Sequence, residues 1–529
     1  MNSVSDKFNQ LASGSIRPLD WELRISWTKD RSLTLGWFTL DQSVLNGPDL
    51  LGDSSENPIQ PWQAYDYLKY RDRVIEMTVE RSVDFPENVQ SAVADFTLDN
   101  HDGHFSYTNP NSSIANYILP MRPVMGYLGF TGGGITPVFT GFTEAIPDYD
   151  GLHEQTATIT AFDPISWLAD QTLPEMLMLV NKRTDEVLSE VLTLLGINST
   201  AYSFDEGLNT IPFVFYESGK DVGNIFKELM QAENGFLWID ESGVIRFEPR
   251  TATFVKPSVL VIDENDLISI TPKRTDDIYN YVSIEADVRV LKSKKAVFEA
   301  ENSNGYDQED PADDSYRISA NSTLEFWANL DDPCYTMTDP TFNGSTTDSY
   351  FTALQLDGTA VTSGMSASGE LFGDSYKLTI HNNNNFAVSV DMVVLFGEPA
   401  EVLGNSPTIK YEDSVASSVE AFGQKKLEIT DNDCFGSYQN VKNLSDFVLD
   451  NYSGYSLTID VEVKGNPALQ LQDVVTITNT DYDGTWVVTR TKHTLSSSGL
   501  ATELTLHRGG AFNPFILNQS ILNGTDVLV

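Results

Sequence analysis

Apolar residues recur along most of this chain at every second position, the spacing of a strand with one buried face. Runs at 73–78, 157–161, 456–463 and 473–478 are rich in Val, Ile, Thr and aromatics and are bounded by Gly, Asn, Asp or Pro. The block from about 21 to 170 reads as strands throughout. Within it 138–142 and 156–162, separated by the turn-prone Asp148, Tyr149, Asp150 and Gly151, predict a hairpin.

The period changes to that of a helix in three places. Over 184–195 the residues Val187, Leu188, Val191, Leu192 and Leu195 share a face, with Thr184 and Asp185 placed to cap it. Over 221–232 the same pattern runs through Val222, Ile225, Phe226, Leu229 and Met230 until Asn234 and Gly235 stop it. Beyond that stop, 236–239 and 244–247 flank Asp240, Glu241, Ser242 and Gly243, which predicts a tight hairpin. A third, weaker helix spans 443–451. Between about 292 and 410 the composition shifts to Asn, Asp, Ser, Thr and Gly with short strands at 375–380 and 387–396, the pattern of an inserted β-sandwich. The acidic stretch 299–314 offers little apolar surface and reads as a linker into it. The expected fold class is mainly β, with β-barrels and a β-sandwich, a small α+β middle region and several domains, because 529 residues exceed what one core sustains.

Composition narrows the function. With 33 basic against 76 acidic residues the formal charge is −43, which opposes stable binding to nucleic-acid phosphates. The same charge suits solubility at high local concentration, or a surface along which DNA slides. No stretch approaches the roughly 18 apolar residues of a membrane span, so none is expected. Residues 1–15 lack the basic-then-apolar order of a secretion signal, which implies folding where the chain is made. Cys334 and Cys434 have neither the number nor the spacing of a disulfide framework or zinc site.

One internal repeat stands out: residues 38–51 recur as 515–528 with nine of fourteen positions identical. Phe38, Leu40, Gln42, Ser43, Leu45, Asn46, Gly47 and Asp49 correspond to Phe515, Leu517, Gln519, Ser520, Leu522, Asn523, Gly524 and Asp526. Each copy alternates apolar and polar positions before an Asn-Gly turn, as strand addition to a sheet edge requires, so these sixteen are the candidate partner-docking residues. Equally, the two copies could close the edges of two related barrels within one chain. Either reading requires two like surroundings, and three chains with two like domains each would present six equivalent faces to a six-fold neighbour.

Enzymatic chemistry finds no foothold. Asp99, His101, Asp102 and His104 sit in a Gly-containing turn, where such groups are usually solvated, and their spacing does not fit a calcium loop. The glycines at 132–134 lack the lysine and following helix of a phosphate cradle. No Gly-x-Ser-x-Gly elbow occurs, and His153, His381, His493 and His507 have no nucleophile nearby in sequence. Phe326, Trp327, Tyr350 and Phe351 could stack on sugars, but they read first as core residues of a β-sandwich. No catalytic, metal-binding or cofactor-binding residue and no cofactor is therefore nominated.

The order of several patches resembles the bacteriophage minor tail and baseplate hub family. Residues 93–106, containing Asn100, Asp102 and Gly103, precede Arg122, Pro123 and Val124, then Phe139 to Phe142 with Gly141, and 158–168, in the manner of that family's first barrel. The helix and hairpin of 222–247 are similar to its middle region. Residues 421–425, 465–475, 484–488 and 504–506 are similar to its second barrel. With this resemblance the chain divides into an arm at 1–20, a first hub barrel at 21–175, an α+β region at 176–291, an inserted sandwich at 292–410 that departs from the family's minimal pattern, a second hub barrel at 411–510 and a docking arm at 511–529. The resemblance further implies a homotrimer in the virion tail tip, assembled in the host cytoplasm. That trimer would join the tail tube or distal tail ring to tip, fibre or receptor-binding proteins, and would admit tape-measure protein and DNA without specific binding. The alternatives are a tail-associated cell-wall or polysaccharide hydrolase, or a receptor-binding adhesin acting through the insertion.

Overall fold

The computed structural model describes residues 2–508 except 3, 15, 28–61, 64–66, 84–88, 150–154, 175, 253–255, 275–277, 302–315, 405, 431 and 455–456. The two repeats at 38–51 and 515–528, and most of the linker expected at 299–314, lie outside the described residues.

After helix α1 (Asp6–Ser13) come strands β1 (Leu19–Ile25), β2 (Val74–Val83), β3 (Gln90–Asp99), β4 (Pro123–Phe130), β5 (Gly134–Thr143) and β6 (Thr156–Phe162). Helices α2 (Pro164–Ala169), α3 (Thr184–Leu194) and α4 (Val222–Glu233) lead to the hairpin β7 (Phe236–Ile239) and β8 (Ile245–Glu248). Next are β9 (Leu260–Ile262), β10 (Leu267–Arg274) and β11 (Tyr281–Ala286), then the insertion strands β12 (Ser322–Asn329), β13 (Met365–Leu371), β14 (Ser375–Asn382) and β15 (Val388–Val402). The chain ends with β16 (Ile409–Ser414), α5 (Tyr438–Tyr452), β17 (Leu457–Lys464), β18 (Val474–Ile477), β19 (Gly484–Ser496) and β20 (Gly499–His507).

The architecture is mainly β and built from several sheets. Its largest sheet has 14 strands and contains two sets with one topology. In space the first set runs β1-β4-β5-β6-β3-β2, and the second β9-β18-β19-β20-β17-β10. Numbered by order along the chain, these are the same arrangement, strand for strand. The one difference of direction is that β1 and β4 are antiparallel whereas β9 and β18 are parallel. Each set encloses its own core. Leu23, Met77, Phe96, Leu128, Phe139 and Ile159 fill the first, and Ile459, Val461, Val475, Trp486, Val488 and Leu504 the second.

The sets meet where β2 pairs antiparallel with β19, from Met77 opposite Leu495 to Ser82 opposite Arg490. Strand β19 serves both sets: 484–487 pair with β18, and 490–495 pair with β2. A register shift between Val488 and Arg490 against β20 separates the two uses. It switches the buried parity from Trp486 and Val488 to Thr491, His493 and Leu495, so both halves of the strand face a core. Closed barrels were expected, and among the described residues neither set closes. In the first set the reason is geometric: a strand has two edges, and β2 uses β3 on one and β19 on the other, leaving none for β1; in the second set β9 and β10 do not pair. The hairpin expected from 138–142 and 156–162 is also replaced. Strands β5 and β6 pair at only Phe142–Phe162 and Thr143–Ala161, and β6 lies mainly along β3.

The helices follow their apolar faces. In α3 the buried residues are Val187, Leu188, Val191 and Leu192, and α4 buries Val222, Ile225, Phe226, Leu229 and Met230 before Asn234 ends it at φ 49°. The start of α3 differs from expectation: Glu186 accepts from the Arg183 amide at 2.9 Å, while Thr184 Oγ1 donates to Glu233 Oε2 at 2.9 Å. The third helix extends further than its pattern, from Ser437, whose hydroxyl accepts from the Asn440 amide at 3.2 Å, to Tyr452. These helices share a core with Leu237, Ile239, Ile245 and Phe247 of the hairpin.

Strands β11 and β16 pair antiparallel from Tyr281–Ser414 to Ala286–Ile409. The chain therefore leaves for the insertion and returns side by side. The insertion is a sandwich: a seven-stranded sheet centred on β15 faces the three-stranded sheet β12-β14-β13. Ala328, Leu378, Ile380, Phe351, Val390, Val393 and Leu395 pack between them.

Candidate functional site

The face of the 14-stranded sheet that points away from the two cores is a mainly polar surface crossing the join between the sets. Register places Glu462, Glu503, Lys492, Glu80 and Val93 in one row across β17, β20, β19, β2 and β3. A parallel row contains Thr494, Thr78, Asp95 and Thr160. Alternation explains the chemistry: in β2 Met77, Val79, Arg81 and Val83 point inward, so Thr78, Glu80 and Ser82 point outward. The cations on this face are committed to neighbours. Arg490 Nε donates to Glu80 Oε1 at 2.7 Å, and Lys492 reaches Glu503 at 3.2 Å. The surface is thus rich in hydroxyls and net acidic, since Glu462, Glu503, Glu80 and Asp95 in these rows outnumber Lys492 and Arg490.

Behind the join lies a buried polar cluster that fastens three parts of the fold. The turn between β7 and β8 is shaped by Asp240, whose Oδ1 accepts from the amides of Ser242 (2.9 Å) and Val244 (3.0 Å) while Arg246 holds Oδ2 at 2.8 Å. Gly243 sits at φ +90°, and a Cβ there would lie 3.0 Å from Thr140 Cγ2 and Trp62 Nε1. The turn pushes Glu241 into the join. Arg81 Nη1 donates to Glu241 Oε1 at 3.0 Å and to Ile239 O at 3.0 Å. Thr140 of β5 donates to Glu241 O at 2.8 Å, Trp62 Nε1 to Gly243 O at 2.8 Å, and Gln470 Nε2 to Glu241 Oε2. The side chains of Arg81 and Glu241 are 1% and 5% exposed, so the pair is shielded from water.

Burial dominates the electrostatics. It raises the Glu241 carboxyl above its ordinary range, with Arg81 opposing. Asp163 caps α2 through Ser166 N at 2.9 Å and Ser166 Oγ at 2.8 Å, and burial pushes it up to about 6 against the pull of those bonds and of Arg81. His493 is held down to about 4 by burial and by the Arg81 charge, with Nδ1 2.9 Å from Thr502 Oγ1. Arg81 Nε and Nη2 and Asp163 Oδ2 are buried with no hydrogen-bond partner among the described residues. The cluster is therefore strongly polar and incompletely satisfied, and it is held by packing on all sides.

Sequence reasoning missed this cluster, although one signal was available. Arg81 and His493 fall on the inward parity of otherwise apolar strands. The residues considered earlier for metal binding stay local: His101 Nδ1 lies 2.8 Å from Asp99, and Asp102 is bridged by Arg73 at 2.6 Å. Among the described residues no group of three or more His, Cys, Asp or Glu is placed to hold a metal ion. Cys334 and Cys434 are both buried, and among the described residues neither forms a disulfide. Among the described residues no helix is long and apolar enough to cross a membrane. All sixteen candidate docking residues of the repeats lie outside the described residues.

No family model matches the chain, and no curated protein matches it. Among solved structures it is similar to a tail protein from Neisseria meningitidis MC58, at 10% identity and a TM-score of 0.46 over 84% of this chain and 94% of that one. It is similar also to the 43 kDa tail protein of prophage MuSo2 from Shewanella oneidensis, at 11% identity and a TM-score of 0.44 over 83% and 95% of the two chains. A third likeness is to prophage tail protein gp18 from Listeria monocytogenes EGD-e, at 10% and 0.40 over 84% and 92%. At these identities and TM-scores the likenesses by themselves decide neither the assembly nor the chemistry of this chain.

Proposed function

We propose that this protein is a structural hub of a bacteriophage tail tip or baseplate, working as a homotrimer in the virion rather than as an enzyme. The observation that carries the reading is the repeated topology: two six-stranded sets with one strand order stand edge to edge in a single sheet. Three such chains would set six like units around an axis and match a six-fold tube. The second set also keeps an open edge for the purpose. Strand β10 holds the place that β2 holds in the first set, and among the described residues β17 is its sole strand partner.

In such a ring the polar sheet face lines a channel. Its hydroxyls and paired charges leave no free cation at Arg490 or Lys492 to grip phosphate, so DNA or a tape-measure protein passes without specific binding. The tail tube or distal tail ring docks on one side, and tip, fibre or receptor-binding proteins on the other. The units then correspond to an arm at 1–20, hub units at 21–175 and 411–510, a bracing region at 176–291, a projecting sandwich at 292–410 and a docking arm at 511–529. The repeats, from Phe38 to Asp49 and from Phe515 to Asp526, serve as strand-adding segments for a partner. Class-averaged electron microscopy of the purified chain is the test. A threefold ring with a central hole is expected, and a monomer or a two-fold closed dimer at micromolar concentration refutes the proposal.

A further inference from the structure

The insertion carries a face that its own core does not use. In β12 the parity that turns Leu324 and Phe326 towards the sandwich core turns Thr323, Glu325, Trp327 and Asn329 outward. Trp327 is 46% exposed, and among the described residues its ring neighbour is Phe372, at a centroid distance of 5.2 Å and 43° between planes. Register extends the face across the sheet. Trp327 lies beside Lys377 and then Glu370, Glu325 beside Thr379 and then Ser368, and Thr323 beside His381 and then Ser366. Lys377 is bridged to Glu325 at 3.3 Å.

We infer that this face binds a neutral glycan. A pyranose ring has an apolar face of C–H groups and a rim of hydroxyls. It therefore needs a flat aromatic platform beside groups that can both donate and accept hydrogen bonds. Trp327 supplies the platform. The hydroxyls of Thr379, Ser368, Ser366 and Thr323, with Glu325 and Glu370 as acceptors, supply the rim, on strands about 4.8 Å apart. Charge selects within the class: two carboxylates face one ammonium that is already bridged, so a phosphate-bearing polymer is repelled. A protein partner would instead favour an aromatic anchor inside a well-packed apolar surround, whereas the row neighbours of Trp327 are Lys377 and Glu370. This inference does not depend on the hub reading, since a lone chain carries the whole face.

The test is calorimetric titration of the full chain with neutral tetrasaccharides built of glucose, galactose, rhamnose or N-acetylglucosamine, and with polyglycerol phosphate as the anionic probe. Binding of at least one neutral probe at one site per chain is expected, weakened about tenfold or more by Trp327→Ala and to a lesser degree by Thr379→Val. Both side chains point away from the core, so the variants retain the fold. No binding by any neutral probe, equal binding by Trp327→Ala, or preference for polyglycerol phosphate overturns the inference. So does a change in sedimentation coefficient on Trp327→Ala without sugar binding, which would assign the face to contact between copies. Ring formation by microscopy succeeds or fails independently of these outcomes.

Discussion

Replacing Glu241 with Ala would withdraw the carboxylate that pairs with Arg81, a guanidinium that is 1% exposed and already has two nitrogens without partners among the described residues. Removing one member of a buried ion pair costs about 3–5 kcal/mol, because the survivor is left charged in a poorly polarisable site. Gln470 loses its acceptor at the same time, while the bonds to the backbone of the turn from Thr140 and Trp62 persist. The loss should therefore fall in that range rather than unfold the hairpin outright. The double variant Arg81→Met/Glu241→Leu removes both charges and fills similar volume, so it should lie within about 1–2 kcal/mol of the parent. An exposed pair is the control: Lys442 and Asp446, each 44% exposed and four residues apart on α5, should couple far more weakly in the same cycle, because solvent screens them. Urea unfolding followed by tryptophan fluorescence reads these differences, since Trp62 is fully buried against the turn. A cost below about 1 kcal/mol for Glu241→Ala, or a double variant no better than the single one, would refute the claim that this pair fastens the hairpin to the two strand sets.

Two further outcomes follow from the geometry. Asp163 ionises near 6 in the fold against 3.8 unperturbed, so its contribution to stability is complete below about 3.8 and is lost as pH rises through about 6. Asp163→Asn keeps a cap oxygen for α2 and should gain on the parent by up to about 3 kcal/mol between pH 4 and 8, read as the difference between paired denaturation curves; a difference independent of pH would show that the carboxyl is not buried as described. Ile268, 57% exposed on the outer strand β10, should tolerate Lys with a stability change within about 0.5 kcal/mol while abolishing the ring. Intact rings of Ile268→Lys in electron micrographs would exclude β10 from the contact between copies.

The distribution of charge refines the picture drawn from composition. A formal charge of −43 invites an acidic channel wall, yet the polar sheet face pairs Glu80 with Arg490 and Glu503 with Lys492. Passage without adhesion would then rest on hydroxyls and committed cations together with the repulsion of the further acids on that face, Glu462 and Asp95. Neutralising Asp95 or Glu462, which bridge neither cation, should accordingly change little, whereas neutralising Glu80 or Glu503 would free Arg490 or Lys492 and create the grip that composition argues against.

Local pattern was enough to determine the class of this protein and most of its elements. Alternation in 73–78, 157–161 and 473–478 places strands because a half-buried sheet imposes period two, and the faces of α3 and α4 are legible because one side of each meets a core. The hairpin of β7 and β8 was equally local, since Asp240 and Gly243 alone shape its turn. Partnership between distant strands is not encoded in any such window. Nothing in 260–274 announces that β9 and β10 complete a set with strands about 200 residues later, or that β2 spends its second edge on β19 and so leaves the first set open. The buried cluster was hidden for the same reason. Arg81 could be seen as a charge on an apolar parity, but the identity of its partner depended on Glu241, 160 residues away, being delivered by the packing of the hairpin into the join. Periodicity records which side of an element is buried, and only the folded chain decides what buries it.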